Sequence, residues 1–394
     1  MTRRRSDAAR QNDERLLDAA AAEIVAVGVD RVGMSAVARR VELTTGALYS
    51  RYENVAELAA AVWTARVRDR HHALLDAAVR SLVDRDRTAD LERVHAELTT
   101  ASDDTLVALE LIGTARRVDE LEEVVFRDVR EWMSGWQAGP RAADPHRRAQ
   151  VAFTLGAVWG VILHEIPRPG RRDWSYMTRS LRWSFKREYA ERADDFVADE
   201  TGPIVADTGD ASQNALIDAV EAIVARVGFE RASATRIARR ADLTPGSIYT
   251  RYRTKDDLLR HAVEILLARR FRDDLVANRH TLTETDVGAA TASVVGGYLG
   301  PERRDWRQFR MEAQLAGAHR ADLAAALDHI QEAAIRDYLD WLGAKTDEER
   351  AELDVLAAFA QVVPLGLAFA DLVLPGIPAI DWRRVLTPLL TPRS

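Results

Sequence analysis

The sequence predicts an all-α protein assembled from two tandem units, and three observations carry that expectation. Apolar residues recur at helical spacing through nearly the whole chain, as in Leu16, Leu17, Ala20, Ile24 and Val27. No period-two alternation of apolar and polar residues survives over a useful length. Residues 16–58 return without a gap as 216–258, pairing Gly28 with Gly228, Arg40 with Arg240, Leu43 with Leu243 and Tyr49 with Tyr249. The unit ends correspond as well: an apolar helix, a Pro and a Gly precede Asp173-Trp174 and Asp381-Trp382. The whole unit is duplicated, not only its first part.

In the first unit a helix over about 12–27 stops at Gly28. Arg3, Arg4, Arg5 and Arg10 precede it, either as a solvated, frayed terminus or as a flexible arm on a DNA backbone or minor groove. Two short helices follow, then a long one from about 56 into the eighties, and helices over 88–99, 103–116, 119–137 and 146–166. Asp173 opens one more, through about Arg192. Residues 193–211 are acidic and bear Gly, Pro and Thr, which is linker composition. The second unit repeats the scheme with helices over 213–227, 255–278, 284–298, 302–317, 321–343 and 347–373, and a last one after Asp381. The expected division is a head at 1–55, a body at 56–192, a linker at 193–211, a second head at 212–256 and a second body at 257–394.

The most informative stretch is Ala234–Tyr252 with its near copy Met34–Tyr52. Ser233 is placed to cap a short helix whose Ile237 and Ala238 face a core, and Thr244-Pro245 starts the next. Gly246 leaves one side of that helix bare, with Tyr249, Arg251 and Lys255 around it. A short bare helix flanked by a phenol and cations suits a groove rimmed with phosphates. Net charge is −7, which taken whole argues against nucleic acid, but the arginines concentrate in these two stretches and the excess acid lies elsewhere.

The remaining chemistry is narrow. There is no cysteine, so disulfides, thiolate metal sites and cysteine nucleophiles are excluded, in keeping with a reducing cytoplasm. No phosphate loop or metal-ligand spacing is present, so neither an enzyme nor a cofactor is expected. His71-His72 beside Asp69 reads as a solvated helix face rather than a metal site, because adjacent helical side chains diverge by about 100°. Met1 to Asp7 holds no apolar stretch after its charges, unlike a secretory leader. The most apolar run, 355–375, is broken by Pro364 and carries Gln361 and Asp371, so no membrane segment is expected.

The two helix-turn-helix stretches, with a preceding helix closing on Gly, a Leu-Thr-x-Gly-x-Leu/Ile-Tyr turn and helix, and Thr-Lys-x-x-Leu opening a fourth helix, resemble the TetR family. The layout is similar to single-chain, double-TetR regulators. The resemblance implies that each unit is a three-helix DNA-binding head on a helical ligand-binding and dimerisation body. It places Thr45, Gly46, Ala47 and Ser50, and Pro245, Gly246, Ser247 and Thr250, in the major groove, with Thr44 and Thr244 also among the DNA-binding residues. Tyr49 and Tyr249 match the family's phosphate-binding tyrosine, Lys255 its phosphate lysine, and Arg51 and Arg251 stand where it often has His. Ser35, Thr235 and Arg236 reach DNA from the preceding helix.

One departure stands out: Glu53-Asn-Val occupies the first head where Arg253-Thr-Lys occupies the second, so the first head is expected to bind more weakly. No Arg, Asn or Gln lies in 44–48 or 244–248, which leaves base reading to methyl and hydroxyl contacts and to DNA shape. The family keeps an effector cavity among the later helices, for which Glu110, Trp132, Trp159, His164, Glu312, His319 and Gln361 are the candidates. The tryptophans are also ordinary core residues. The resemblance further implies an intramolecular pseudo-dimer, 146–192 on 347–391, with a small-molecule effector and a double-stranded operator as partners. A ligand-released repressor on an asymmetric operator is the expected function. An activator or architectural factor without an effector is the alternative.

Overall fold

The computed structural model describes residues 2–84, 90–137, 144–199, 204–281, 283, 286–343, 346–374 and 376–390, with side chains in the first helix from Gln11 onward. Among them are twenty α-helices and no strand.

The first unit opens with α1 (Thr2–Val27), α2 (Met34–Arg40) and α3 (Thr45–Tyr49). α1 starts well before residue 12, so the Arg3–Arg5 backbone is helical rather than an extended arm. The run from Thr2 to Gln11 holds neither Gly nor Pro and is rich in Arg and Ala, which favours that extension. α4 (Val55–Val62) passes through a π turn at Trp63–Val67 into α5 (Arg68–Ala78), and a second π turn at Val79–Asp84 prolongs it. α6 (Asp90–Thr99), α7 (Asp103–Ala115) and α8 (Asp119–Leu121) follow, with another π turn leading to α9 (Arg127–Gln137). α10 (Pro145–Glu165) starts on Asp144, which accepts the His146 N–H at 2.9 Å, with Pro145 at the position that needs no donor. α11 (Ser175–Ser184) closes the unit.

The second unit comprises α12 (Ala211–Val227), α13 (Ala234–Arg240), α14 (Pro245–Tyr249), α15 (Lys255–Thr281), α16 (Val287–Leu299), α17 (Arg304–Gly317), α18 (Ala321–Leu342), α19 (Asp347–Val373) and α20 (Arg383–Leu390). α19 opens on a capping box between Thr346 and Glu349 and runs on through Pro364.

α11 ends eight residues short of Arg192 because the chain is drawn onto the second unit. Glu191 pairs with Arg384 at 2.9 Å and Arg192 with Asp286. Beyond it the acidic stretch is docked: Asp199 N–H donates to Ser293 O at 3.1 Å, Asp194 accepts from Arg383 at 2.9 Å, and Ile204 and Ala206 are buried.

The centre of the molecule is the crossing of α10 and α19, flanked by α11 and α20. The two backbones touch there. A Cβ on Gly366 would lie 1.6 Å from Gly156 O, and one on Gly160 2.2 Å from Val362 O, so only glycine fits. Trp159 packs edge-on to Phe369, and Phe153 meets Phe359 and Trp382. α19 is long and apolar enough to cross a membrane, but 72% of its apolar window is buried inside this bundle, as expected of a core helix.

Candidate nucleic-acid interface

The two heads are built alike from local chemistry. Each turn between the short helices places one residue in the left-handed region, Glu42 at φ 57 and Asp242 at φ 56. The next amide then folds back: Leu43 N–H reaches Ala38 O and Leu243 N–H reaches Ala238 O, both at 2.9 Å. Leu48 and Ile248 are fully buried and anchor α3 and α14 on the head core. Their opposite faces carry the solvent-facing residues.

On those faces Tyr49 and Tyr249 are 54% and 56% exposed, unusual for a large aromatic and equal in the two copies. Thr44, Thr45, Gly46, Ser50 and Arg51 are exposed, as are Thr244, Pro245, Gly246, Thr250 and Arg251; Ala47, Ser247 and Lys255 are half-buried. Ser35, Thr235 and Arg236 lie exposed on α2 and α13. The side chains of Arg3, Arg4 and Arg5 lie outside the described residues.

Several of these groups already have local partners. Thr44 Oγ1 accepts the Ala47 N–H at 3.1 Å, while Thr244 and Ser247 hydroxyls meet at 3.1 Å. Ser50 and Thr250 hydroxyls donate to Ala47 O and Ser247 O at 2.9 and 2.8 Å, leaving their lone pairs facing outward as acceptors. Arg51 is tied to Asp13 at 3.0 Å and Arg251 to Asp210 at 3.3 Å, so each clips its short helix to the start of its own head. Asp210 is held below the usual carboxylate range by the Gln213 and Ser212 amides and the Arg251 guanidinium. Arg236 donates to Arg231 O at 3.1 Å, and Lys255 Nζ lies 3.6 Å from Asp256.

The family model for bacterial regulatory proteins of the tetR family matches residues 16–62 and again 216–262. The chain is a tandem TetR-family regulator. No curated protein matches it. Members of this family are DNA-binding helix-turn-helix transcriptional regulators rather than enzymes, and this tandem TetR chain carries two such heads.

Beneath the heads, sequence reasoning missed the contact that joins them. Asp30, after α1, pairs with Arg117 at 2.7 Å and with Arg231 of the second head at 3.1 Å. Arg117 and Arg116 both reach Glu312 of the second body, at 3.2 and 2.6 Å. Beside them Glu110 accepts the Val29 N–H at 3.1 Å, and His319 bonds Val25 O at 2.9 Å. Glu110, Glu312 and His319 therefore line the junction between heads and bodies, a recess of only about 30 Å³. The available signal was Arg116-Arg117 directly after an otherwise largely apolar helix.

The other cavity candidates are buried or bonded within the fold. Trp159 is fully buried and donates to His71 Nε2 at 3.2 Å; Trp132 donates to Asp76 at 3.2 Å. His71 is itself 1% exposed and not on a solvated face as its sequence context suggests. His164 is buried at the end of α10, and Gln361 donates to Gln331 O at 3.4 Å. None of the seven lines the cavity of about 550 Å³ in the second unit, whose walls include Arg270, Asp274, Tyr298, Phe359 and Pro364.

Proposed function

We propose that this tandem TetR chain is a ligand-released repressor that works in the cytoplasm and reads an asymmetric operator with both heads at once. Residues 1–55 and 212–256 act as the heads, 56–192 and 257–394 as the bodies, and 193–211 as a docked connector. The observation that carries this reading is the pair of equally exposed tyrosines, Tyr49 and Tyr249, on matching short helices whose other faces are buried. Each would hold a backbone phosphate while residues 44–47 and 244–247, with Ser50 and Thr250, meet the groove floor.

The packing of α10 and α11 on α19 and α20 supports an intramolecular pseudo-dimer, because it joins the same two helices of both units. The operator is asymmetric because Glu53 and Val55 stand where the second head has Arg253 and Lys255. An effector in the body releases DNA by binding better to a head spacing that does not fit the operator. Footprinting the full-length protein on DNA flanking its own gene tests this. Two unequal half-sites about one or two helical turns apart, lost on adding an effector, are expected. One short protected site would sink the two-headed reading, and protection that no ligand relieves would favour the effector-free alternative.

A further inference from the structure

The cavity of about 550 Å³ is walled by α15, α16, α18, α19 and α20 of the second unit and by α11 of the first. That volume suits a single drug-sized organic molecule. Much of its wall is apolar, with Met177, Val294, Phe359 and Leu386 among the lining side chains, and the exposed Leu356 and Ala360 lie on its open side. Its charged lining is one pair, Arg270 and Asp274, 2.5 Å apart.

The charge around that pair does not balance. Arg303 and Arg310 also act on the Asp274 carboxylate, and both are buried. Arg307 nearby is already answered by Asp371 at 3.3 Å. Three guanidiniums thus act on the half-buried carboxylate of Asp274, while Arg303 is also faced by the exposed Asp273 and by Glu221, whose carboxyl is pushed up to about 8 by burial. Their donors are also in surplus: Arg270 Nε, Arg303 Nε and Nη1, and Arg310 Nε are buried without a hydrogen-bond partner. So is the hydroxyl of Tyr298, a residue only 1% exposed that lines the cavity under the Arg270 guanidinium, 5.3 Å from its ring. Buried donors and uncompensated charge are costly until an acceptor of opposite sign arrives.

We propose that this cavity binds one amphipathic organic anion per chain, its carboxylate taking the Arg270 and Tyr298 donors and its apolar body lying against Phe359 and Met177. One site is assigned because in the first unit the buried rings of Trp63, His71 and Trp159 pack together, His71 stacked on Trp159 and tilted against Trp63. Two heads therefore answer to one ligand. The regulatory meaning rests on the effector reading above, whereas the binding is measured apart from it.

Calorimetric titration of the full chain with decanoate, decan-1-ol and decyltrimethylammonium, in the absence of DNA, tests the inference. Decanoate should bind once per chain and at least about tenfold more tightly than the alcohol, as a charge-assisted hydrogen bond implies, with no uptake of the cation. Tyr298→Phe removes an unpartnered hydroxyl, so the melting temperature of the free chain should hold while decanoate weakens by about tenfold. Ala360→Trp should fill the open side and abolish uptake. Equal binding of the three probes, two sites per chain, no uptake of any probe, or binding untouched by Ala360→Trp would each overturn the assignment. Operator release is read separately. Decanoate binding without release supports this site and sinks the effector reading; release by a compound insensitive to Ala360→Trp places sensing elsewhere.

Discussion

Asp30 of the first head lies 3.1 Å from Arg231 of the second, and its carboxylate is shared with Arg117 of the first body at 2.7 Å. Arg117 continues to Glu312 in the second body, so both heads and both bodies meet in one chain of ion pairs. The side chains of Asp30, Arg117 and Glu312 are only 7–8% exposed, which keeps these charges away from screening salt. The two units are thus joined at this junction and at the α10–α19 crossing, as well as through the docked stretch after α11.

Removing one member should therefore be costly. Asp30→Ala leaves Arg117 buried with Glu312 alone and frees Arg231, for an expected loss of about 3 kcal/mol. Denaturant unfolding gives the stability, and footprinting of the same variant should show weakened protection at one half-site. Wild-type stability would mean that the junction is held by packing and that the ion chain is incidental.

The heads also differ in how they should respond to salt. Lys255 stands at the start of α15, while Val55 holds the same place on α4 and Glu53 lies just before it. Each phosphate contact contributes about one unit to the log–log slope of affinity against salt. Lys255→Ala should flatten that slope by about one unit, and Val55→Ala should leave it unchanged. Glu53→Gln should strengthen binding at low salt. Equal slopes for both alanine variants would remove the asymmetry on which the operator proposal depends.

The heads were legible in the sequence because local rules suffice for them. Caps at Thr44 and Ser233, Pro245 at a helix start and glycines closing the first helices are all short-range signals, and the second copy checks the first. The bodies were legible as helices but not as packed faces. Trp132, Trp159, His164 and Gln361 drew attention as polar or aromatic marks on apolar helices, yet the partner of each is set by distant chain. His71 shows the cause most directly. Its spacing of three and four residues from Leu74 and Leu75 puts it on their buried face, but the indole of Trp159 that covers that face comes from a helix far along the chain.

Two buried groups give opposite pH dependences. Glu221, on α12 where it packs against α17, has its carboxyl pushed up to about 8 by burial, reinforced by Asp218 and Asp305 and opposed by Arg303. The folded chain keeps this proton where the unfolded chain has lost it, so stability from this group is complete below 4.5 and falls as pH rises toward 8. Glu221→Gln should gain on the wild type across that window by up to ~4 kcal/mol. His71 is pushed down to about 3 by burial and by the neighbouring His72. The folded chain leaves it neutral where the unfolded chain protonates it, so its stability is complete above 6.5 and falls as pH drops toward 3. Urea unfolding at a series of pH values checks both; a Glu221→Gln difference that stays flat from pH 4.5 to 8 would refute the burial account.

The turns between the short helices offer a matched comparison within one molecule. Glu42 and Asp242 hold nearly the same left-handed conformation, φ 57 and 56, and both side chains are exposed. The left-handed region costs an ordinary side chain about 1–2 kcal/mol, while the short polar side chain of Asp eases that cost. Glycine pays no steric cost there but loses more chain entropy on folding. The balance should make Glu42→Gly stabilising by roughly 0.5–1 kcal/mol and Asp242→Gly closer to neutral. Thermal unfolding of the two full-length variants decides it. If Asp242→Gly stabilised more than Glu42→Gly, local strain would not govern these turns, and the Glu42 backbone would owe its conformation to the return bond from Leu43 to Ala38 alone.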